Sequence, residues 1–349
     1  ILGPVYWLTE QIDALNPLKK VFKDITFSDY YFNSNKENRI KSKDIIIVDI
    51  GYESKEITRY KIQKLLKKIN HNKNKPKVIG LDMMFKKHSE NLETDSLLAL
   101  ELKSDNIIMM NQINSLNDKN FIKENLDYFT NSNPVGFTNA WNEGDQHTVR
   151  YFKQKFNFKY GNIDTIYNHF AIEIARKFDE SSIKYLKENM PSDDNYSIIN
   201  YSYNFYNSRC SIDNAINFLS DSIFEGKIVL IGINTHQNNK PVYAEDLYHS
   251  PLNDTPLGKS KPDIYGIEIL GNIINSIIDK KLIQHNYYRD TAIQVFLGLL
   301  FYFILLFVLT KFKNQFIVSR FILQILLIFV CIYLSIKQYF IVDHEGHYF

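Results

Sequence analysis

The sequence predicts an α/β fold, a mostly parallel sheet flanked by helices, followed by a transmembrane helical hairpin. Three observations carry that expectation. Short runs of branched aliphatic residues recur along the polar part of the chain, as strands buried on both faces require. Segments with helical spacing separate them, and such alternation selects parallel pairing with crossover helices. Past Arg289, two long runs are almost free of charge.

Residues 44–50 (DIIIVDI) form the first expected strand, and 60–70 (YKIQKLLKKIN) a helix with Ile62, Leu65, Leu66 and Ile69 on one face. A second strand is expected at 77–85 (KVIGLDMMF), a helix at 96–102 and a third strand at 105–110. Residues 164–178 (DTIYNHFAIEIARKF) fit one amphipathic helix. The Tyr- and Asn-rich stretch 196–206 suits an exposed strand pair, or a surface for carbohydrate or protein. A late strand is expected at 226–233 (GKIVLIGI) and a last helix at 264–278. Residues 36–43 and 71–75 are solvated charged turns.

Residues 291–310 (TAIQVFLGLLFYFILLFVLT) carry no ionisable group. At ~1.5 Å per residue they span ~30 Å, the thickness of a hydrocarbon core. A second run, 316–336, holds Arg320 near its start, where the side chain snorkels to the headgroups. Lys311, Lys313 and Arg320 flank the short turn between the runs, while 338–349 holds Asp343 and Glu345 and no Lys or Arg. The positive-inside rule makes the turn cytoplasmic and puts the main domain in the periplasm of a bacterial inner membrane. The expected division is 1–28 as an N-terminal segment, 29–288 as the extracytoplasmic domain, 289–337 as two membrane helices and 338–349 as a short extracytoplasmic tail. The N-terminal segment is either the outer end of a truncated membrane helix, with Trp7 at the interface, or an amphipathic helix lying on the domain. No signal peptide with a basic start precedes it, and the expectation is that the gene product continues before Ile1.

The 349 residues include 41 Lys and Arg against 39 Asp and Glu, a net charge of +2. That leaves no field to gather nucleic acid. The two cysteines, Cys210 and Cys331, stand in polar and apolar segments and are poor disulfide partners. No nucleophile elbow, Cys/His dyad or phosphate-binding loop occurs. His169 and Glu173, four apart, read better as a satisfied surface pair than as metal ligands. The 343–347 run (DHEGH) lacks the His-Glu-x-x-His spacing. The expectation is a protein that is not an enzyme and holds no metal or cofactor.

Ligands of open α/β sheets bind beyond the carboxyl ends of the strands. There the sequence puts Asp49, followed by Gly51, Tyr52, Glu53 and Ser54. Asp82 ends the second strand before Phe85. Gly232 ends the late strand and leads to Asn234, Thr235 and His236, then Asp246 and Ser250-Pro251. Asp49 and Asp82 either touch a ligand or accept bonds from neighbouring loop amides and hold the loops.

These residues resemble the type-2 CHASE domain, an extracytoplasmic sensory module of bacterial histidine kinases and nucleotide cyclases. The likeness runs from about Asp29 into the hairpin. It rests on Ile47-Val48-Asp49 with Ser54, on Val78 to Asp82 with Phe85, and on Pro134 to Asn139 with Val149-Arg150. The late block is Gly226 to Gly232, Asp246, Ser250-Pro251, Gly266-Ile267-Glu268 and Asn272. Three positions depart from the family pattern. Gly51 replaces a second acid, residues 56–60 replace an aromatic loop, and Gly271 replaces a histidine. The resemblance also implies about three membrane helices and an output domain after the sensory module, where this chain shows two helices and no kinase or cyclase.

The resemblance implies a membrane-anchored periplasmic sensory domain that binds a ligand or partner and couples to its membrane helices. The alternative is a structural or accessory subunit of a larger inner-membrane complex, using the same fold as a docking surface. Candidate binding residues are Asp49, Ser54, Asp82, Asn234, Asp246, Ser250, Glu268 and Asn272. The expected partners are the membrane lipid bilayer and an unknown small ligand or partner membrane protein, in a homo-oligomer or a hetero-complex, with no nucleic acid. Asp49, Asp82 and Asp246 are expected to share one cleft.

Overall fold

The computed structural model describes residues 27–71, 73–116, 119–123, 125–130, 134–139, 148–160, 163–189, 196–237, 240–241, 246–253 and 261–283, with scattered positions between 296 and 310. The chain divides into two units, Phe32–Leu282 and the two ends outside it.

In the first unit the elements run β1 (Ile45–Asp49), α1 (Lys55–Asn70), β2 (Val78–Leu81), α2 (Leu92–Glu101), β3 (Ile107–Leu116), β4 (Lys119–Lys123) and β5 (Val135–Phe137). There follow β6 (Lys155–Tyr160), β7 (Ile163–Asn168), α3 (Phe170–Phe178), α4 (Glu180–Asn189), β8 (Arg209–Ser211), α5 (Ile212–Asn217) and β9 (Ile228–Gly232). The short strands β10 (Leu247–Tyr248) and β11 (Ile264–Tyr265) lead into α6 (Gly266–Ile278).

Strands β8, β1, β9, β2 and β3 lie side by side in that order, and β5 pairs with the same strand β3. All of these pairings are parallel. Strand β4 returns antiparallel on the extended end of β3. The mostly parallel sheet predicted from the branched aliphatic runs is therefore present, with β2 and β9 buried along their whole length. Register sets Asp49 opposite Gly232, and Leu81 opposite both Ile231 and Met109. The carboxyl ends of the central strands therefore form one edge.

Alternate residues of each strand feed two cores. On one face Ile62, Leu65, Leu66 and Ile69 of α1 and Leu98 and Leu102 beside α2 pack on Val48, Ile79, Leu81, Val229 and Ile231. On the other face lie α3 and α6. Gly80 lets α3 close down, for a Cβ there would fall 2.6 Å from Ile174 Cδ1 and 2.9 Å from Leu230 Cδ2. Gly136 in β5 allows a backbone approach, since its Cβ would meet Phe170 Cα at 2.5 Å.

Side chains cap several of these helices. Ser54 Oγ accepts from Ile57 N at 3.4 Å, and Asn91 Oδ1 from Thr94 N at 3.0 Å. Helix α6 closes without a glycine. Lys281 N donates to Ser276 O and Lys280 N to Ile277 O, with Lys280 left-handed at φ 58°.

Two expectations change. Residues 164–168, read as the start of a helix, belong to strand β7, paired antiparallel with β6. Ile163, Thr165, Ile166 and Tyr167 are β-branched or aromatic, and the Gly161-Asn162 pair before them has the turn chemistry of a hairpin. The stretch 196–206 is not an exposed pair either. Tyr196–Ile198 pairs with Tyr151–Lys153, while Tyr201 and Tyr203 are fully buried. Their hydroxyls donate to Val149 O and Asp279 Oδ2, each at 2.7 Å.

In the second unit the described positions of the first apolar run are helical, and Phe296, Leu299, Phe303 and Phe307 expose 53–65% of their surface. Among the described residues no helix is long and apolar enough to cross a membrane. The full spans predicted at 291–310 and 316–336, the tail, and most of the N-terminal segment lie outside the described residues.

Candidate functional site

Asp82 directly follows β2, its amide donating to Ile231 O at 2.9 Å. Its Cβ lies against Gly232, where a methyl group would meet it at 3.1 Å. Asp246 comes to the same edge from the loop after β9. Its backbone is left-handed at φ 60°, uncommon for any residue but glycine. That turn places both carboxylate oxygens 2.9 Å from where a Cβ on Gly266 would sit, at the first residue of α6. Only glycine leaves room there.

Together these elements enclose a cavity of about 420 Å³. Asp82, Asp246, Tyr248, Gln112, Asn139 and His169 supply its polar wall. Met84, Met110, Phe152, Ile269, Leu270 and Ile273 supply much of its apolar wall. No lysine or arginine is among the lining residues described. The volume and mixed lining are those of a small-molecule site.

The electrostatics follow from where the groups face. Both carboxylates line the cavity, each on a residue that is largely but not wholly covered. Burial raises the Asp82 pKa well above the usual carboxylate range, and the Asp246 charge raises it further. Burial pushes Asp246 up to about 6, against the pull of a hydrogen bond from Tyr248. The Tyr248 phenol is raised by burial and by both carboxylates. Among the described residues the Asp82 carboxylate receives no hydrogen bond. Asn139 is spent on the backbone of Ile113, donating to its carbonyl at 2.6 Å and accepting from its amide at 2.8 Å.

His169 is 2% exposed and lies between Phe137 and Phe152, with ring centroids 5.2 and 5.4 Å away. It caps α3, with Nδ1 accepting from Ala171 N at 3.3 Å, which assigns the ring proton to Nε2. Burial holds its pKa down to about 3, so the ring is neutral. The expected surface pair with Glu173 does not form. Glu173 instead accepts from Asn168 and Arg176. His169 is interior because it ends a strand and begins a helix, where one turn of periodicity says nothing about its direction.

The other sequence candidates do not line this cavity. Asp49 is a loop staple. It accepts from Gly51 N at 3.0 Å, Asn234 N at 2.9 Å and Thr235 Oγ1 at 2.8 Å. Ser54 caps α1. Asn234 is 2% exposed, and its carboxamide has no hydrogen-bond partner among the described residues. Ser250 donates to Asp263 from both its amide and its hydroxyl, at 2.8 and 2.6 Å. Glu268 lies 3.9 Å from Arg209 and 4.0 Å from His236. Asn272 Oδ1 accepts from Tyr203 N at 3.1 Å, tying α6 to the loop after Ser202. Of the three carboxylates expected in one cleft, Asp82 and Asp246 meet and Asp49 stays outside.

Sequence reasoning missed Tyr248, His169 and Gln112 as lining residues, and Gly266 as the gap that admits Asp246. Among the described residues no group of three metal-ligating side chains is present. The 343–347 run lies outside the described residues.

No curated protein and no solved structure matches the chain. A family model described as the CHASE2 domain matches residues 8–310. The match takes in the whole sheet, both carboxylates and α6, and so the chain belongs to the CHASE2 family of extracytoplasmic sensory domains.

Proposed function

We propose that the cavity at the sheet's carboxyl edge is the receptor site of a membrane-anchored periplasmic sensor, and that its occupancy is passed through α6 to membrane helices at 291–336. The observation that carries this reading is the Asp82–Asp246 pair. Two carboxylates that line one cavity and raise each other's proton affinity oppose folding, and groups so perturbed cluster at functional sites. The exposed apolar side chains at Phe296, Phe303 and Phe307 support the membrane anchor.

The wall of the cavity is also the route out of it. Gly266, Ile269, Leu270 and Ile273 are residues of α6 that face the ligand space. The end of the same helix is held on the domain, with Tyr203 bonded to Asp279 and Asn200 Nδ2 donating to Lys281 O at 2.9 Å. A ligand that moves the first turn of α6 therefore moves the segment leading to 291, provided it binds the two arrangements with different affinity.

Two measurements test the reading. A pool of small metabolites should raise the thermal midpoint of the full chain, and Thr138→Trp, which fills the cavity, should abolish the rise. A pool that stabilises the variant as much as the wild type would place the receptor site elsewhere. With Cys210 and Cys331 replaced by serine, Phe218→Cys, at a position 80% exposed, should react with an impermeant maleimide on intact cells. Asn314→Cys should be protected. The reverse pattern would overturn the periplasmic orientation.

A further inference from the structure

We propose that the ligand of this cavity is a compact amine, an ammonium group on an apolar body, received by the carboxylates of Asp82 and Asp246. The inference rests on the receptor-site reading above and names the chemistry of what that site takes.

Charge decides the class. An anionic ligand would meet two carboxylates and no lining lysine or arginine. A metal ion would find two carboxylates and no third ligand among the described residues. An ammonium group offers three donors, and the site has acceptor capacity to spare. Asp246 accepts from Tyr248, while the Asp82 carboxylate accepts nothing among the described residues. The remaining surface fits the rest of such a molecule. Met84, Met110, Phe152 and Ile269 suit a hydrocarbon body. His169, neutral and capping α3 through Nδ1, turns an Nε2–H with no described acceptor to one neutral acceptor on the ligand.

Protons must balance when the amine binds. Burial and the Asp246 charge raise the proton affinity of Asp82, so the empty pair holds a proton more tightly than the pair with an ammonium beside it. The ammonium favours the doubly ionised pair, so a carboxyl O–H bond that the empty pair holds breaks on binding and its proton leaves to buffer. The other groups facing the pair do not supply or take that proton, since Tyr248 stays protonated and His169 stays neutral.

The test is calorimetry on the full chain with primary amines from butylamine to phenethylamine, each matched to the alcohol and the carboxylate of the same skeleton. Wild type should bind at least one amine tenfold or more tighter than its alcohol, and the carboxylate not measurably. Heats in two buffers of different ionisation enthalpy should show up to one proton released per amine. Asp82→Asn with Asp246→Asn should end the proton release and bring the amine down to the level of its alcohol while alcohol binding persists. Alcohols or carboxylates binding as tightly as amines would overturn the amine and leave the cavity standing. Failure of every amine would also overturn it, and the Thr138→Trp comparison then judges the cavity separately.

Discussion

Asp246→Asn should raise the melting temperature of the unliganded chain at neutral pH by roughly 4–8 °C, taking a net gain of about 2 kcal/mol and about 2–4 °C per kcal/mol. The gain comes from the folded state alone. Moving the carboxyl from 3.8 to about 6 corresponds to about 3 kcal/mol of lost stability at pH 7, an upper value for a group that faces a cavity. An amide of the same shape carries no charge to desolvate and none for Asp82 to repel. Against this, the bond from Tyr248 weakens from charged to neutral, by about 1 kcal/mol. Asp82→Asn should also stabilise, because its carboxylate has the same burial and fewer partners. The two substitutions together should remove the preference for an amine over its alcohol. A gain in stability at the cost of recognition is the signature of a pair kept for function and not for folding. A lowered melting temperature in both variants would show that the carboxylates stabilise the edge, and would remove the main support for a receptor site there.

Much of the frame was legible in the sequence. Residues 45–49, 78–81 and 228–232 announce themselves as strands because a run of Ile, Val and Leu without alternation suits burial on both faces. Asp82 was legible as a residue of the sheet's carboxyl edge, where it lines the cavity, because an acid in such a strand is tolerated only at its end. Asp49 has the same signal and the other outcome, for Thr235 and two amides consume its oxygens, and which loop reaches it depends on a crossing 185 residues away in sequence. Asp246 needed a left-handed backbone and an absent side chain at Gly266 to join Asp82, and no local pattern encodes that meeting. His169 was misplaced because i, i+4 spacing with Glu173 presumes a helix already under way, whereas the histidine is its first cap. Tyr201 and Tyr203 read as surface residues because a tyrosine-rich stretch has both apolar rings and polar tips, and only the tertiary partners of the hydroxyls decide their depth.

On the acid side, between about pH 4 and 6, His169 opposes the two raised carboxylates of the cavity, and each of two substitutions should tilt the profile relative to wild type in opposite directions. His169 has a folded pKa of about 3 against 6.5 for a free side chain, so its contribution is whole above pH 6.5 and is lost as pH falls towards 3. The full loss is about 5 kcal/mol as an upper value. Asp246 does the reverse. Its folded pKa of about 6 exceeds 3.8, so its contribution is whole below pH 3.8 and is lost as pH rises through 6. Each group exchanges up to one proton on unfolding, worth about 1.4 kcal/mol per pH unit, and over the shared window the two slopes oppose each other. Asp246→Asn removes one of the two opposing carboxylates, and its stability relative to wild type should fall steadily from pH 6 to pH 4. His169→Asn keeps a good cap on α3 and leaves the carboxylates unopposed, so its relative stability should fall as pH rises over the same range. Urea unfolding of the full chain and the two variants at four pH values reads these differences directly, and every titrating group elsewhere cancels in the comparison. Parallel profiles for all three proteins would mean that neither group is held away from its ordinary protonation, and that the cavity is wetter and less strained than its walls imply.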